Sequence, residues 1–70
     1  MTINLKNADI HNVLRFLGEI SRQNIVVDEN VKGTISVRLN DVPWQQALAV
    51  VLKTKQLGMQ KAGNIIRISP

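Results

Sequence analysis

TISVRLNDVPWQQALAVVL, residues 34–52, changes its period part-way along. From Thr34 to Leu39 polar and apolar residues alternate. Ile35, Val37 and Leu39 fall on one side, and Thr34, Ser36 and Arg38 on the other. A period of two marks a half-buried strand. From about residue 43 to 55 the apolar residues return at helical spacing instead: Trp44, Ala47, Leu48, Val51 and Leu52. They make one stripe of an amphipathic helix. Pro43 suits the first helical position, where its missing N–H would have no partner anyway. The stretch therefore reads strand, turn, helix.

The same pattern occurs once before. A shift of 34 positions, with no gap, lays Ile3 and Leu5 on Val37 and Leu39. It lays Val13, Leu14 and Leu17 on Ala47, Leu48 and Val51, Asn7 on Asp41, Ile10 on Trp44, and Ile25 on Met59. Tetratricopeptide repeats share a period of about 34 residues, but they are helix pairs. Here an alternating strand precedes each helix, so the chain reads as two strand–helix–strand units plus a last strand. The first unit has a strand at 2–6 and a helix at about 9–21. Its stripe is Ile10, Val13, Leu14, Leu17 and Ile20, with Asn7 or Asp9 as N-cap. NIVVD, 24–28, is a short apolar run predicted to be a strand buried on both faces or nearly so. ENVKG then turns the chain, and Gly33 is free to adopt positive φ. In the second unit Lys53 and Lys55 suit the negative pole of the helix dipole, and Gly58 suits its exit. Two closing strands, at 58–61 and 64–69, flank an Ala62-Gly63 hairpin turn. The expected core includes Ile10, Val13, Leu14, Leu17, Trp44, Leu48 and Val51. Trp44 occupies the slot of Ile10, which makes its ring a lid on the end of that core, with the indole N–H at the edge.

Seventy residues hold one small domain, which buries roughly 60% of the surface its unfolded chain exposes. Met1 directly before a strand and Pro70 directly after one lead us to expect a single domain, 1–70, cut from a longer protein. No apolar run reaches the ~18 residues of a membrane span. Without cysteine there is no disulfide and no thiolate chemistry. The net charge of +4 invites an acidic partner, nucleic acid or an anionic surface. Yet the bases are scattered, and only Lys53 to Lys61 is locally dense.

No catalytic constellation emerges, and neither a cofactor nor a metal site is expected. Asp28 and Glu29 are adjacent, so in extended backbone they point to opposite sides and cannot act as acid and base across a cleft. His11 is the only histidine, lies off the apolar stripe and reads as a surface residue. Gly18, Gly33, Gly58 and Gly63 form no phosphate-binding loop. Gly18, inside the first helix, is expected to allow another element to pack closely. The element order and basic charge resemble a KH-type nucleic-acid binder. The GXXG clamp of that fold is missing, and Phe16 and Trp44 are the only aromatics available to stack on bases.

ADIHNVLRFL (8–17), NIVVDENVKGTISVRL (24–39), DVPWQQAL (41–48) and GNIIRISP (63–70) together cover most of the chain. In this order and spacing they resemble the short N-terminal domain of secretins and of some TonB-dependent transporters. DVPWQQAL followed by LKTKQLG looks most like the N0 domain of a type IV pilus secretin. The resemblance implies an α+β fold in the order β-α-β-β-α-β-β, with two helices sandwiched between two sheets. The first and third strands would form a two-stranded sheet; the second, fourth and fifth would form a three-stranded one. It implies a non-catalytic protein-interaction domain in the periplasmic portion of an outer-membrane protein. Such a domain supports ring assembly with neighbouring subunits and docks the periplasmic domain of the inner-membrane pilus lipoprotein. The alternative is a periplasmic signalling domain of a TonB-dependent transporter. Taken alone, the domain is expected to be a monomer. A two-stranded sheet leaves open edges to which partner strands can add. On its outward side stand Thr2, Asn4, Lys6, Thr34, Ser36 and Arg38, the candidate partner-binding residues, whose cations suit an acidic partner.

Overall fold

The change from strand to helical periodicity at 34–52, and its earlier copy, become seven elements in the computed structural model, which describes residues 1–70. They are β1 (Ile3–Asp9), α1 (Ile10–Ser21), β2 (Asn24–Val27), β3 (Thr34–Leu39), α2 (Trp44–Thr54), β4 (Gly58–Ala62) and β5 (Ile65–Ser69). β1 and β3 pair antiparallel as a two-stranded sheet. The second sheet runs β2-β5-β4, with β2 parallel and β4 antiparallel to the central β5. The two helices share one core with both sheets. It joins Ile3 and Ile35 of the small sheet to Ile66 and Ile68 of the large one. Between them pack Ile10, Val13, Leu14 and Leu17 of α1, and Ala47, Leu48, Val51 and Leu52 of α2.

The internal repeat extends to the backbone. Four non-glycine residues adopt positive φ: Asn7 (50°), Arg22 (58°), Asp41 (54°) and Gln56 (56°). They form two pairs, Asn7 with Asp41 and Arg22 with Gln56, each separated by the same 34 positions. Left-handed backbone costs L-residues energy, so chance is a poor account of this coincidence. The helices start at Ile10 and Trp44, and β2 and β4 start at Asn24 and Gly58, again 34 apart. β1–β3 pairing obeys the symmetry too: Ile3↔Leu39 and Leu5↔Val37 exchange, while Asn4↔Arg38 maps onto itself.

Several boundaries differ from those the sequence suggests, each for a local reason. β1 continues past residue 6 to Asp9 because a bulge absorbs Lys6 and Asn7 opposite Ser36. Asn7 therefore serves the strand, and Asp9 is the N-cap, its Oδ1 accepting the His11 N–H at 2.8 Å. Pro43 stands at the N-cap of α2, one residue before the first helical position. Gln56, not Gly58, takes the left-handed exit from α2. The hairpin turns at Gly63-Asn64, because Gly63, at φ 61°, fills the first turn position that demands positive φ.

Two burial expectations also change. Ile20 is 44% exposed. The buried arc of α1 extends the other way, to Gly18, where an added Cβ would lie 3.4 Å from the Ile25 side chain of β2. Nor is β2 covered on both faces. It is an edge strand with one open face, and Val26 is 51% exposed there. His11 is half-buried, not free on the surface: its Nε2 is hydrogen-bonded to the carbonyl of Val31. Val31 itself is buried, and Ile10 N–H donates to Gly33 O at 3.0 Å, so the β2–β3 loop is pinned to the start of α1.

Candidate docking face

The alternation TISVRL and its counterpart INL turn Ile3, Leu5, Ile35, Val37 and Leu39 toward the helices. The remaining residues form the outer face of the small sheet. At its centre Asn4 and Arg38 are direct cross-strand partners. Beside them the bulge brings Lys6 and Asn7 opposite Ser36. The bulge is fastened by side chains: Ser36 Oγ accepts the Asn7 N–H at 2.9 Å and donates to Asn7 Oδ1 at 3.4 Å.

All six residues singled out from the sequence are exposed, but they are not equivalent. Thr2 Oγ1 accepts the Asp41 N–H at 3.3 Å and so ties the first residues to the β3–α2 turn. Met1 reinforces that tie, with Val42 N–H donating to its carbonyl at 2.9 Å. Thr34 lies at the opposite end, and its carbonyl accepts the Lys55 ammonium at 3.1 Å. The structure thus brings Asn4, Lys6, Ser36 and Arg38 together and leaves Thr2 and Thr34 at the margins. Ser36 is committed to the bulge, so Asn4, Lys6 and Arg38 are the groups free to meet a partner. In a two-stranded sheet each strand also keeps one edge of unpaired N–H and C=O groups.

No polar or charged residue is buried as a whole, although the Oε1 of Gln23 is shut off from solvent without a partner. No three metal-ligating side chains come together.

A second feature was not singled out from the sequence. Trp44 is half-buried, so it covers the margin of the core and is not part of its sealed interior. Its ring packs at the core's margin and helps to line a groove of about 130 Å³ between α2 and β4, together with Leu48, Leu52, Met59, Lys61 and Ile66. The repeat correctly puts Trp44 at the start of a helix, but its partner Ile10 is 0% exposed. A larger residue in the same slot extends past the space the core provides.

The family model described as "Secretin and TonB N terminus short domain" matches residues 23–70. The chain belongs to this family. It is 39% identical over 70 residues to the fimbrial assembly protein PilQ of Pseudomonas aeruginosa, covering all of this chain and 10% of that protein. Among solved structures, the type IV competence pilus secretin PilQ of V. cholerae is 38% identical with a TM-score of 0.84, over 97% of this chain and 16% of that one. The N-terminal domain of the secretin XcpQ from Pseudomonas aeruginosa is 35% identical with a TM-score of 0.85, over 100% of this chain and 36% of that one. The chain spans about a tenth of the length of the pilus secretin relatives it matches. The two helices and the two- and three-stranded sheets are those of the secretin N-terminal domain.

Proposed function

We propose that this chain is a non-catalytic docking domain in the periplasmic portion of an outer-membrane type IV pilus secretin. In this reading residues 1–70 form one domain of a much longer protein. The domain binds the periplasmic domain of the inner-membrane pilus lipoprotein and helps to align neighbouring subunits of the ring. The observation that carries the reading is the outer face of the β1–β3 sheet, where Lys6 and Arg38 flank Asn4 beside two free strand edges. The free edges offer main-chain hydrogen bonds, and the cations supply steering toward an acidic surface. The likeness to pilus secretins supports the pilus system.

The test is calorimetric titration of the 70-residue chain with the lipoprotein's periplasmic domain. Reversing both charges, Lys6→Glu with Arg38→Glu, is expected to weaken binding at least about tenfold and to flatten its salt dependence. Unchanged affinity in the double variant would remove the β1–β3 face from the interface. No binding by the unaltered chain at saturating partner would remove the proposed partner.

A further inference from the structure

The formal charge of this protein is divided unevenly along its length. Through Asp41, the cations Lys6, Arg15, Arg22, Lys32 and Arg38 balance the carboxylates Asp9, Glu19, Asp28, Glu29 and Asp41. Beyond Asp41 there are Lys53, Lys55, Lys61 and Arg67 and no acidic side chain. The whole net charge of +4 therefore lies on the part of the chain that forms α2, β4 and β5.

This part also holds an unfinished edge. β4 lies at the margin of the large sheet, and all of its residues are exposed. The two-residue turn at Gly63-Asn64 makes Ala62–Ile65 the pair next to the loop. In such hairpins that pair exchanges both main-chain hydrogen bonds, and the pattern then alternates. Gln60–Arg67 and Gly58–Ser69 are therefore bonded inward, while Met59 and Lys61 aim their N–H and C=O at the free edge. Their side chains share the inner face with Ile68 and Ile66. There they meet the groove floored by Leu48, Leu52 and Trp44, whose volume of about 130 Å³ suits one branched aliphatic side chain. On the outer face Gln60 lies beside Arg67, and Lys61 reaches the rim on both sides. No carboxylate lines the groove or the outer hollow beside Ala62 and Ile65, and the nearest one on the outer face is Asp28, which shares a neighbouring hollow with Gln60 and Arg67.

We propose that β4 and the groove beside Trp44 form a second docking site, distinct from the β1–β3 face. Its ligand is an extended acidic segment of another chain. The segment adds as a strand to the free edge of β4, where Met59 and Lys61 supply the main-chain hydrogen bonds. One aliphatic side chain fills the groove against Trp44 and Met59. Carboxylates elsewhere on the segment meet Lys61 and Arg67. A basic segment is repelled, and a neutral one loses the electrostatic attraction.

Trp44 is the only tryptophan, so its emission reports occupancy of the groove directly. The probe is a capped nonapeptide whose central valine has a glutamate two residues away on either side, on the valine's own face, titrated into the full 70-residue chain at low salt. The expected result is a blue shift of Trp44 emission, with amide shifts centred on Met59 and Lys61. The matched lysine–valine peptide is expected to produce neither. Lys61→Glu, at an exposed edge position, is expected to weaken the glutamate peptide at least about tenfold with an unchanged melting curve. Arg38→Glu, on the other sheet, leaves this affinity intact, which separates the site from the β1–β3 face. If Lys61→Glu unfolds the chain, Lys61→Gln carries the same test with a smaller loss. Equal binding of the two peptides, unchanged affinity in the Lys61 variant, or no response at millimolar peptide would overturn the proposal and leave Lys61 as a guard against edge pairing.

Discussion

The two repeat units share a backbone and differ in how well they close. In the first, Ile10 opens α1 fully buried, Asp9 caps the helix, and Gly18 lets β2 lie close against it. In the second, Trp44 opens α2 half-buried, Pro43 offers no side-chain cap, and β4 is exposed along its length. β2 and β4 flank the same central strand, yet Ile25 and Val27 of β2 are half-buried against the core while Met59 is 48% exposed. The shared dihedral signature shows that the repeat constrains the path of the chain. The side chains fill the space between α1 and β2 and leave that between α2 and β4 open. Packing that is complete serves stability, and packing that is left open is available for a partner.

The largest expected difference lies at the two helix starts. Ile10→Ala removes a fully buried side chain and should cost about 2–5 kcal/mol, enough to unfold most molecules of a domain this small. Trp44→Ala removes a half-buried ring that keeps one side at an open groove and should cost about 2–3 kcal/mol, below the usual range for a fully buried tryptophan. Urea unfolding of both variants checks the order, and a Trp44 variant less stable than the Ile10 variant would break the comparison. Next in size, Asp9→Ala should cost about 1 kcal/mol through loss of the cap to His11 N–H. A loss below a few tenths would show that the cap contributes little to α1. The smallest effect tests the repeat itself. Arg22→Gly and Gln56→Gly each relieve a left-handed residue at equivalent positions. Each should change stability by less than about 1 kcal/mol, because glycine's extra unfolded-state freedom offsets the relief. The two changes should have the same sign; opposite signs in thermal melts would mean that the local environments have diverged.

The fold was readable because its signals are periodic. The alternation of Ile35, Val37 and Leu39, the stripes beginning at Ile10 and Trp44, and the 34-position shift all survive in the structure. What escaped depends on groups distant in sequence. Val31 looks like a loop residue until the β2–β3 connection folds over α1 and buries it. Val26 looks like a core residue until the sheet order puts β2 at an edge with one face open. The extent of Trp44 burial depends on how far α2 stands from β4, which no local pattern encodes. Of the candidate site, the outward alternation on β1 and β3 is visible in the sequence, but the commitment of Ser36 to the bulge and of Thr2 to the Asp41 turn rests on partners 29 and 39 positions away. The second site did leave a legible trace, the absence of any acidic side chain after Asp41, which total charge and even spacing concealed.

An amide-shift map of the isotope-labelled chain during titration with the lipoprotein's periplasmic domain decides whether the β1–β3 face is where the partner docks. The shifts are expected to concentrate on Asn4, Lys6, Ser36 and Arg38 and along β1 and β3, with the fully buried residues of α1 unmoved. Shifts confined to α1 and β2, or none at saturation, would contradict docking at that face.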